Sequence, residues 1–435
     1  MADNAVSYAD PGSVPHPRRI MFVSANAAQW GGSEELWAVT AAVLAEQGHR
    51  VSVWKPVLDR AVSRVSHLEA LGVALFDPAK RLKITRIRDR IGRLFPRFAN
   101  SILQHLRKTI LDMRPELVVI SQGANFDGCG MALVCKELGV RYALLSHKAD
   151  DIYWPSDQER PAMGLAYAGA HATFFVSEHS RCLTEEQLAT ALPGAVIVRN
   201  PFQVPWDTSL PWPDETDGLR LACVGRIDMR EKGQAVLLRI LAMEKWRARR
   251  IHLTLYGTGH NAAGLRAMAD FLKLDHVHFA GFTSAPEAIW RDHHALILSS
   301  RCEGLPLVEV EAMLSGRVVI ATDVGGNAEM LAEGQTGFLA MAPTASELDA
   351  AMERAWARRA DWPAIGRAAS AAIRGIVPAD PAARFAEQTL DLLQHQPFRM
   401  TLDRHARDVH RDPVAACATE NESVSFPIAA LQPSG

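Results

Sequence analysis

The chain has 435 residues, 48% of them apolar and 22% charged, with a formal net charge of −2. That length exceeds one ordinary hydrophobic core and predicts two domains of about 200 residues each. The near-neutral charge excludes a general nucleic-acid binder, whose phosphate affinity needs a basic surface. No apolar run approaches the ~18 residues that would cross a bilayer. The start MADNAVSYADPG lacks the basic and apolar regions of a signal peptide, so a cytoplasmic protein is expected.

Residues 1–17 are polar and broken by Pro and Gly, which predicts disorder. Ile20–Val23 then reads as a strand, Ser33–Gln47 as an amphipathic helix stopped by Gly48, and Val51–Trp54 as the next strand. Gly31 and Gly32 lie between strand and helix, where glycines let backbone amides approach an anion; Ser33 as a plain N-cap is the alternative. From Lys80 to Ile102, basic residues surround the apolar stripe Ile87, Ile91, Leu94, Phe98 and Ile102, interrupted at Pro96. Such a basic amphipathic segment (80–106) can lie on an anionic membrane surface, or pack inward with a solvated basic face. Both readings stay open.

Further strands are predicted at 117–121, 142–146, 173–177 and 196–199. Short apolar runs alternating with helices indicate a covered parallel sheet. His147 ends the 142–146 strand and precedes Lys148, Asp150 and Asp151. Alone, a strand-end histidine is more often structural than functional, and the roles of Lys148 and Asp150 stay open.

The Pro- and Trp-rich stretch 201–218 reads as a linker. Alternation restarts with strands at 219–224, 252–256, 277–281, 295–299, 318–322 and 337–340, and a helix near 381–395 is expected to close the fold. Residues 397–435 carry no sustained periodicity. Gly225, Arg226 and Lys232 follow the first strand of this half, where two cations at a cleft rim can neutralise a diphosphate. Gly257-Thr-Gly-His-Asn-Ala262 satisfies a dinucleotide fingerprint, but the next strand, Val277–Gly281, ends without the acid that would hold a ribose. Metal signatures are absent: there is no Asp-x-Asp pair, and the paired histidines lack acidic or cysteine company. The six cysteines (Cys129, Cys135, Cys182, Cys223, Cys302, Cys417) form no Cys-x-x-Cys pair and read as free thiols in a reducing compartment.

The most informative segment is Glu303-Gly-Leu-Pro-Leu-Val-Glu-Val-Glu311, directly after the strand at 295. Pro306 suits a first helical position and Gly316 the stop. The helix start aims unpaired N–H groups and partial positive charge into the crevice above the sheet, a place for a diphosphate flanked by carboxylates that accept from sugar hydroxyls.

Together with Ala312-Met313, Gly316 and Asp323-Val-Gly325-Gly326-Asn-Ala-Glu329, that segment resembles the signature of the family 4 retaining glycosyltransferases (glycosyl transferases group 1). The resemblance runs over 18–395 and is strongest at 219–341. It implies a GT-B fold, with two doubly wound Rossmann-like α/β domains facing across a cleft. It also implies transfer of a sugar from a UDP- or GDP-type nucleotide sugar to a glycan or glycolipid acceptor, with no cofactor or metal. By resemblance His147, Arg226, Lys232 and Glu303 are catalytic. Arg226 and Lys232 meet the diphosphate, Glu303 the sugar hydroxyls and Glu311 the ribose. Gly31, Gly32, Gly225, Gly257, Gly281, Phe282, Leu305, Pro306 and Leu307 contribute to donor binding, with Gly281 and Phe282 bracketing the base. Pro306 departs from the glycine of many relatives and removes one backbone donor. A nucleotide-sugar epimerase of similar architecture and a non-catalytic sugar-nucleotide binder are the alternatives.

Overall fold

Short runs rich in Val, Ile and Leu, each too short for a helix and apolar on both faces, form two parallel sheets in a computed structural model that describes residues 16–27, 30–78 and 96–394. The first sheet contains β1 (Arg19–Ser24), β2 (Arg50–Trp54), β3 (Ala74–Phe76), β4 (Leu117–Gln122), β5 (Tyr142–Ser146), β6 (Ala172–Phe175) and β7 (Val196–Ile197), in the order β3-β2-β1-β4-β5-β6-β7. The second contains β8 (Leu219–Val224), β9 (Ile251–Tyr256), β10 (Val277–Gly281), β11 (Ala295–Leu298), β12 (Val318–Thr322) and β13 (Gly337–Ala340), in the order β10-β9-β8-β11-β12-β13. Both wind outward in two directions from a central pair, β1/β4 and β8/β11, as expected for doubly wound domains.

Each sheet is covered on both faces. Met21, Val23, Val118, Ile120 and Leu144 pack on one side of the first sheet, and Ile20, Phe22, Val119, Ala143 and Leu145 on the other. This alternation is the period-2 geometry of strands whose neighbours point to opposite faces.

Three differences from the sequence expectations have local causes. β3 is a half-buried edge strand of three residues, too short and too weakly patterned to stand out. The strand expected at 173–177 stops at Phe175, and Ser177 caps the next helix, its Oγ accepting from Ser180 N at 3.2 Å. Pro306 is the N-cap, with φ −67° and ψ 124°, and Leu307 is the first helical residue, so the proline precedes the helix by one place. Of the basic 80–106 segment, residues 80–95 lie outside those described. The helix Pro96–Met113 buries Leu106 and Ile110 in the first domain's core. Among the described residues no helix is long and apolar enough to cross a membrane.

The stretch between β7 and β8 lies against the second domain: Arg317 donates to Pro211 O at 2.7 Å and Arg374 to Trp206 O at 3.0 Å. After the helix Trp362–Ile376 the chain crosses back, and the helix Pro381–Gln394 packs on the helix Gly32–Glu46 of the first domain. Thr40 Oγ1 donates to Ala382 O at 3.3 Å, and Phe385 meets Phe174 edge-on with ring centroids 5.0 Å apart. Replacing the buried Phe385 with Ala should cost about 3–5 kcal/mol, read as a lower urea midpoint for the first domain while the second keeps its own transition.

Candidate active site

Open parallel sheets hold ligands beyond the carboxyl ends of their strands, where the winding reverses. The Gly31-Gly32 loop follows β1, His147 follows β5, Arg226 follows β8 and Glu303 follows β11, so all four project from strand ends at or beside the two reversal points. The two sets meet.

Lys232 Nζ lies 2.6 Å from Glu303 Oε1, which also accepts from Ser300 Oγ at 2.7 Å. Arg226 Nη2 lies 2.7 Å from Glu231 Oε2, while the other oxygen of Glu231 takes Lys148 Nζ at 3.0 Å. Lys148 comes from the first domain, so Glu231 ties it to Arg226 across the cleft. Burial alone would lower the Lys148 ammonium, but the Cys302 thiol, Glu231 and Asp150 beside it hold it above its ordinary value. Burial likewise opposes the Glu231 charge, and Lys148 and Arg226 overcome it and hold that carboxyl below the usual range. Three cations thus share Glu231 and Glu303, Asp228 Oδ2 lies 3.7 Å from Arg226 Nε, and the Arg226 side chain stays 53% exposed, open to an incoming anion.

Glycines set how closely the loops approach. A β-carbon on Gly304 would lie 1.7 Å from His147 O, and one on Gly326 2.7 Å from Ser177 Cβ; both contacts are between domains. A β-carbon on Gly325, at φ 58°, would clash with Glu303 O at 2.2 Å, and Gly326 N donates to Gly304 O at 2.6 Å. The double glycine therefore supports the Glu303 loop from behind. Gly257 has the same kind of duty: a β-carbon there would meet Gly225 O at 2.0 Å, and Gly259 lies equally close to Ile227 O. The apparent dinucleotide fingerprint at 257–262 is thus a backbone-to-backbone packing of two strand-end loops. A β-carbon on Gly32 would lie 3.3 Å from the Leu307 side chain, so the first domain's glycine loop packs against the start of the second domain's helix.

His147 is buried, with Nε2 at 3.2 Å from Ser121 Oγ and the Asn200 side chain beside the ring. Burial pushes its pKa down to about 4, so it is neutral at physiological pH and can exchange hydrogen bonds without adding charge. Glu311 is buried on the helix Leu307–Leu314 and accepts from Gln203 N at 2.9 Å; burial pushes its carboxyl up to about 7. Leu305 is buried beneath the loop. Gly281 and Phe282 stand at the end of the edge strand β10, where Gly281 O accepts from Gly257 N at 2.7 Å and the Phe282 ring is 77% exposed. They line the outer rim, apart from the ionic cluster. Among the described residues no group of three or more His, Cys, Asp or Glu is placed to hold a metal ion.

Three charged groups escaped sequence reasoning. Glu231 lies inside the Arg226–Lys232 segment, but only the fold could reveal its bridge to Lys148. Glu34 is fully buried at the glycine loop, accepting from Gly31 N at 3.1 Å and Asn26 Nδ2 at 3.0 Å, and is paired with the equally buried Lys55 at 3.4 Å. Glu309, between the two recognised glutamates, is fully buried with neither carboxylate oxygen partnered. Its helical offset from Glu311 was the available signal: two residues along a helix turn by about 200°, so the two cannot share a face.

Comparison with known proteins bears on these residues. Residues 218–358 match the family model described as Glycosyl transferases group 1. Over 87 residues, 20% of this chain, the sequence is 39% identical to the Vi polysaccharide biosynthesis protein VipC/TviE of Salmonella typhi. Over 243 residues, 55% of this chain, it is 24% identical to an uncharacterized glycosyltransferase of Haemophilus influenzae. These alignments span 15% and 66% of the two relatives, so the chain covers only part of each. The structure of Anabaena Alr3699/HepE in complex with UDP-glucose superposes with a TM-score of 0.67 at 17% identity, covering 86% of this chain and 100% of that one. The fold is GT-B. Within it, the match to the glycosyl transferases group 1 model falls on the second domain.

Burial pushes the Glu309 carboxyl well above its ordinary value, with Glu303 and Glu329 adding to the shift. Above the ordinary carboxylate range the unfolded chain has released a proton that the native state retains, so this group's contribution to stability falls as pH rises. Glu309→Leu should therefore raise unfolding stability by about 1–3 kcal/mol, with a larger gain at pH 8 than at pH 5 in chemical denaturation.

Proposed function

We propose that this protein is a retaining glycosyltransferase of the family 4 type. It moves a sugar from a UDP- or GDP-type donor to a saccharide or lipid-linked acceptor, without a bound metal. The observation that carries the reading is the Lys232–Glu303 pair at 2.6 Å, at the mouth of a helix whose first N–H groups face the same cleft. A metal-free transfer must stabilise negative charge developing on the leaving diphosphate by other means. Fixed cations and helix-terminal amides aimed at that charge do so without reorganising during the reaction. In the unliganded protein Glu231 and Glu303 hold Arg226 and Lys232 in place, and an arriving diphosphate takes over part of that role.

In this reading Glu303 accepts hydrogen bonds from the sugar and Glu311 from the ribose. His147, neutral and lodged against the Glu303 loop, offers a hydrogen bond to the donor sugar. The departing phosphate oxygen takes the acceptor's proton as the anomeric carbon gains its new oxygen. The complex of Alr3699/HepE with UDP-glucose, and the polysaccharide-biosynthesis role in the name of the Salmonella relative, support a nucleotide-sugar donor and a glycan product.

Incubation with a panel of nucleotide sugars, with and without glycoside acceptors, tests the assignment. Acceptor-dependent nucleotide release is expected; epimer formation without acceptor, or binding without turnover, would overturn it. Lys232→Ala should lower kcat by about 10²–10³-fold while weakening nucleotide affinity far less. Because Glu311 ionises near pH 7 and its charged form is the better acceptor for ribose hydroxyls, the donor KM should rise as pH falls below about 7. Glu311→Gln should flatten that dependence.

A further inference from the structure

The helix Gly32–Glu46 starts at the glycine loop, and its first turn carries two adjacent acids, Glu34 and Glu35. Both are buried. A negative charge in a first turn is drawn to the partial positive end of the helix and cancels part of it. Here that end lies at the cleft: a β-carbon on Gly32 would come within 3.3 Å of the Leu307 side chain, so this helix start meets the start of the helix Leu307–Leu314. An uncompensated carboxylate at such a place would weaken the pull on any incoming anion.

Each acid has its own cation. Glu35 accepts from Trp30 Nε1 at 2.7 Å and from Arg64 Nε at 3.1 Å. Glu34 is paired with Lys55 at 3.4 Å, and with side chains only 1% and 2% exposed the two are shielded from water and salt. Lys55 stands just after β2, and its Nζ also donates to Asn26 O behind the loop. Burial lowers the Lys55 pKa, and Glu34 opposes that fall. Glu34 meanwhile shapes the loop. Its Oε2 accepts from Gly31 N at 3.1 Å and Ser33 Oγ at 2.8 Å, and its Oε1 from Asn26 Nδ2 at 3.0 Å. The amides of Gly32 and Ser33 lie in the same turn, where a helix supplies no acceptor of its own.

For stability alone a buried ion pair is a poor choice, since two apolar side chains of similar shape would hold the elements together as well or better. We infer that Lys55 is a positioning residue acting through Glu34: it cancels the charge of the carboxylate that shapes the glycine loop, so the loop keeps its form while its amides still attract the donor diphosphate. The inference rests on the glycosyl-transfer reading, which brings a diphosphate to this loop. The opposing helix meets the same requirement differently. Glu309, its third residue, is fully buried, and burial favours its neutral form.

The test compares the affinity of the full chain for UDP or GDP with its affinity for the matching nucleoside, by calorimetry and ligand-observed NMR. Their ratio isolates the diphosphate's share of binding. Lys55→Met leaves Glu34 uncompensated, and the ratio should fall about tenfold while nucleoside affinity stays within about twofold of the parent. Glu34→Gln/Lys55→Met removes both charges and keeps an oxygen for Gly31 N, and should bring the ratio back to within about threefold of the parent. A loop disturbed only by lost packing would give low ratios in both variants. That outcome overturns the inference, as does an unchanged ratio in Lys55→Met. Should Lys55→Met fail to fold, Glu34→Gln decides: losing the acid alone should leave the ratio at or above the parent's, and a fall overturns the charge-cancelling role. A parent that binds neither UDP nor GDP sinks the transfer reading and this inference with it. A parent that transfers sugar while its variants keep the parent's ratio sinks the inference alone.

Discussion

At Gly304 the second domain comes so close to the first that no side chain can stand between them. A β-carbon there would overlap the carbonyl oxygen of His147. Gly304 is the residue after Glu303 and lies three places before the helix that presents its N-terminus to the cleft. The closeness of this contact therefore sets how far Glu303, Lys232 and the helix end lie from the first domain's strand ends. Gly325 and Gly326, pressed against the Glu303–Gly304 backbone and Ser177, hold the same loop from the far side. Because the Gly304 and Gly325 contacts are backbone against backbone, the geometry depends little on side-chain rotamers, which suits a site that must present charge at a fixed distance.

Around that contact the charges are arranged as alternating pairs. Lys148, Glu231 and Arg226 form one chain across the cleft, and Lys232 with Glu303 forms another. Partly buried ion pairs of this kind gain little net stability after desolvation. Their value here is orientation, since long flexible cations are held in one place before any ligand is present. The lowered pKa of Glu231 and the raised pKa of Lys148 are both consequences of that mutual holding.

Much of the fold was legible because parallel strands buried on both faces announce themselves as short apolar runs, and twelve of the thirteen strands among the described residues were read that way. β3 was missed because an edge strand of three half-buried residues leaves almost no pattern. The site was legible where the backbone dictates residue type. Gly304, Gly325 and Gly326 cannot carry side chains, and Arg226, Lys232, Glu303 and Glu311 lie at offsets from strand ends that sequence can count. What sequence could not supply was pairing across the domains. Lys148 and Glu231 are 83 positions apart, and nothing local says they touch. Glu309 was passed over for another reason: it lies between two glutamates that were given roles, and its helical offset from Glu311 went unused.

The return of the helix Pro381–Gln394 to the first domain has a mechanical consequence. Among the described residues the polypeptide passes between the halves twice, once through 201–218 and again just after Ile376. Two anchored crossings restrain a pair of bodies as two pins restrain a door leaf. They leave a swing about the line joining them and resist both twisting and sliding. Any opening of the cleft would then be a rotation about that line.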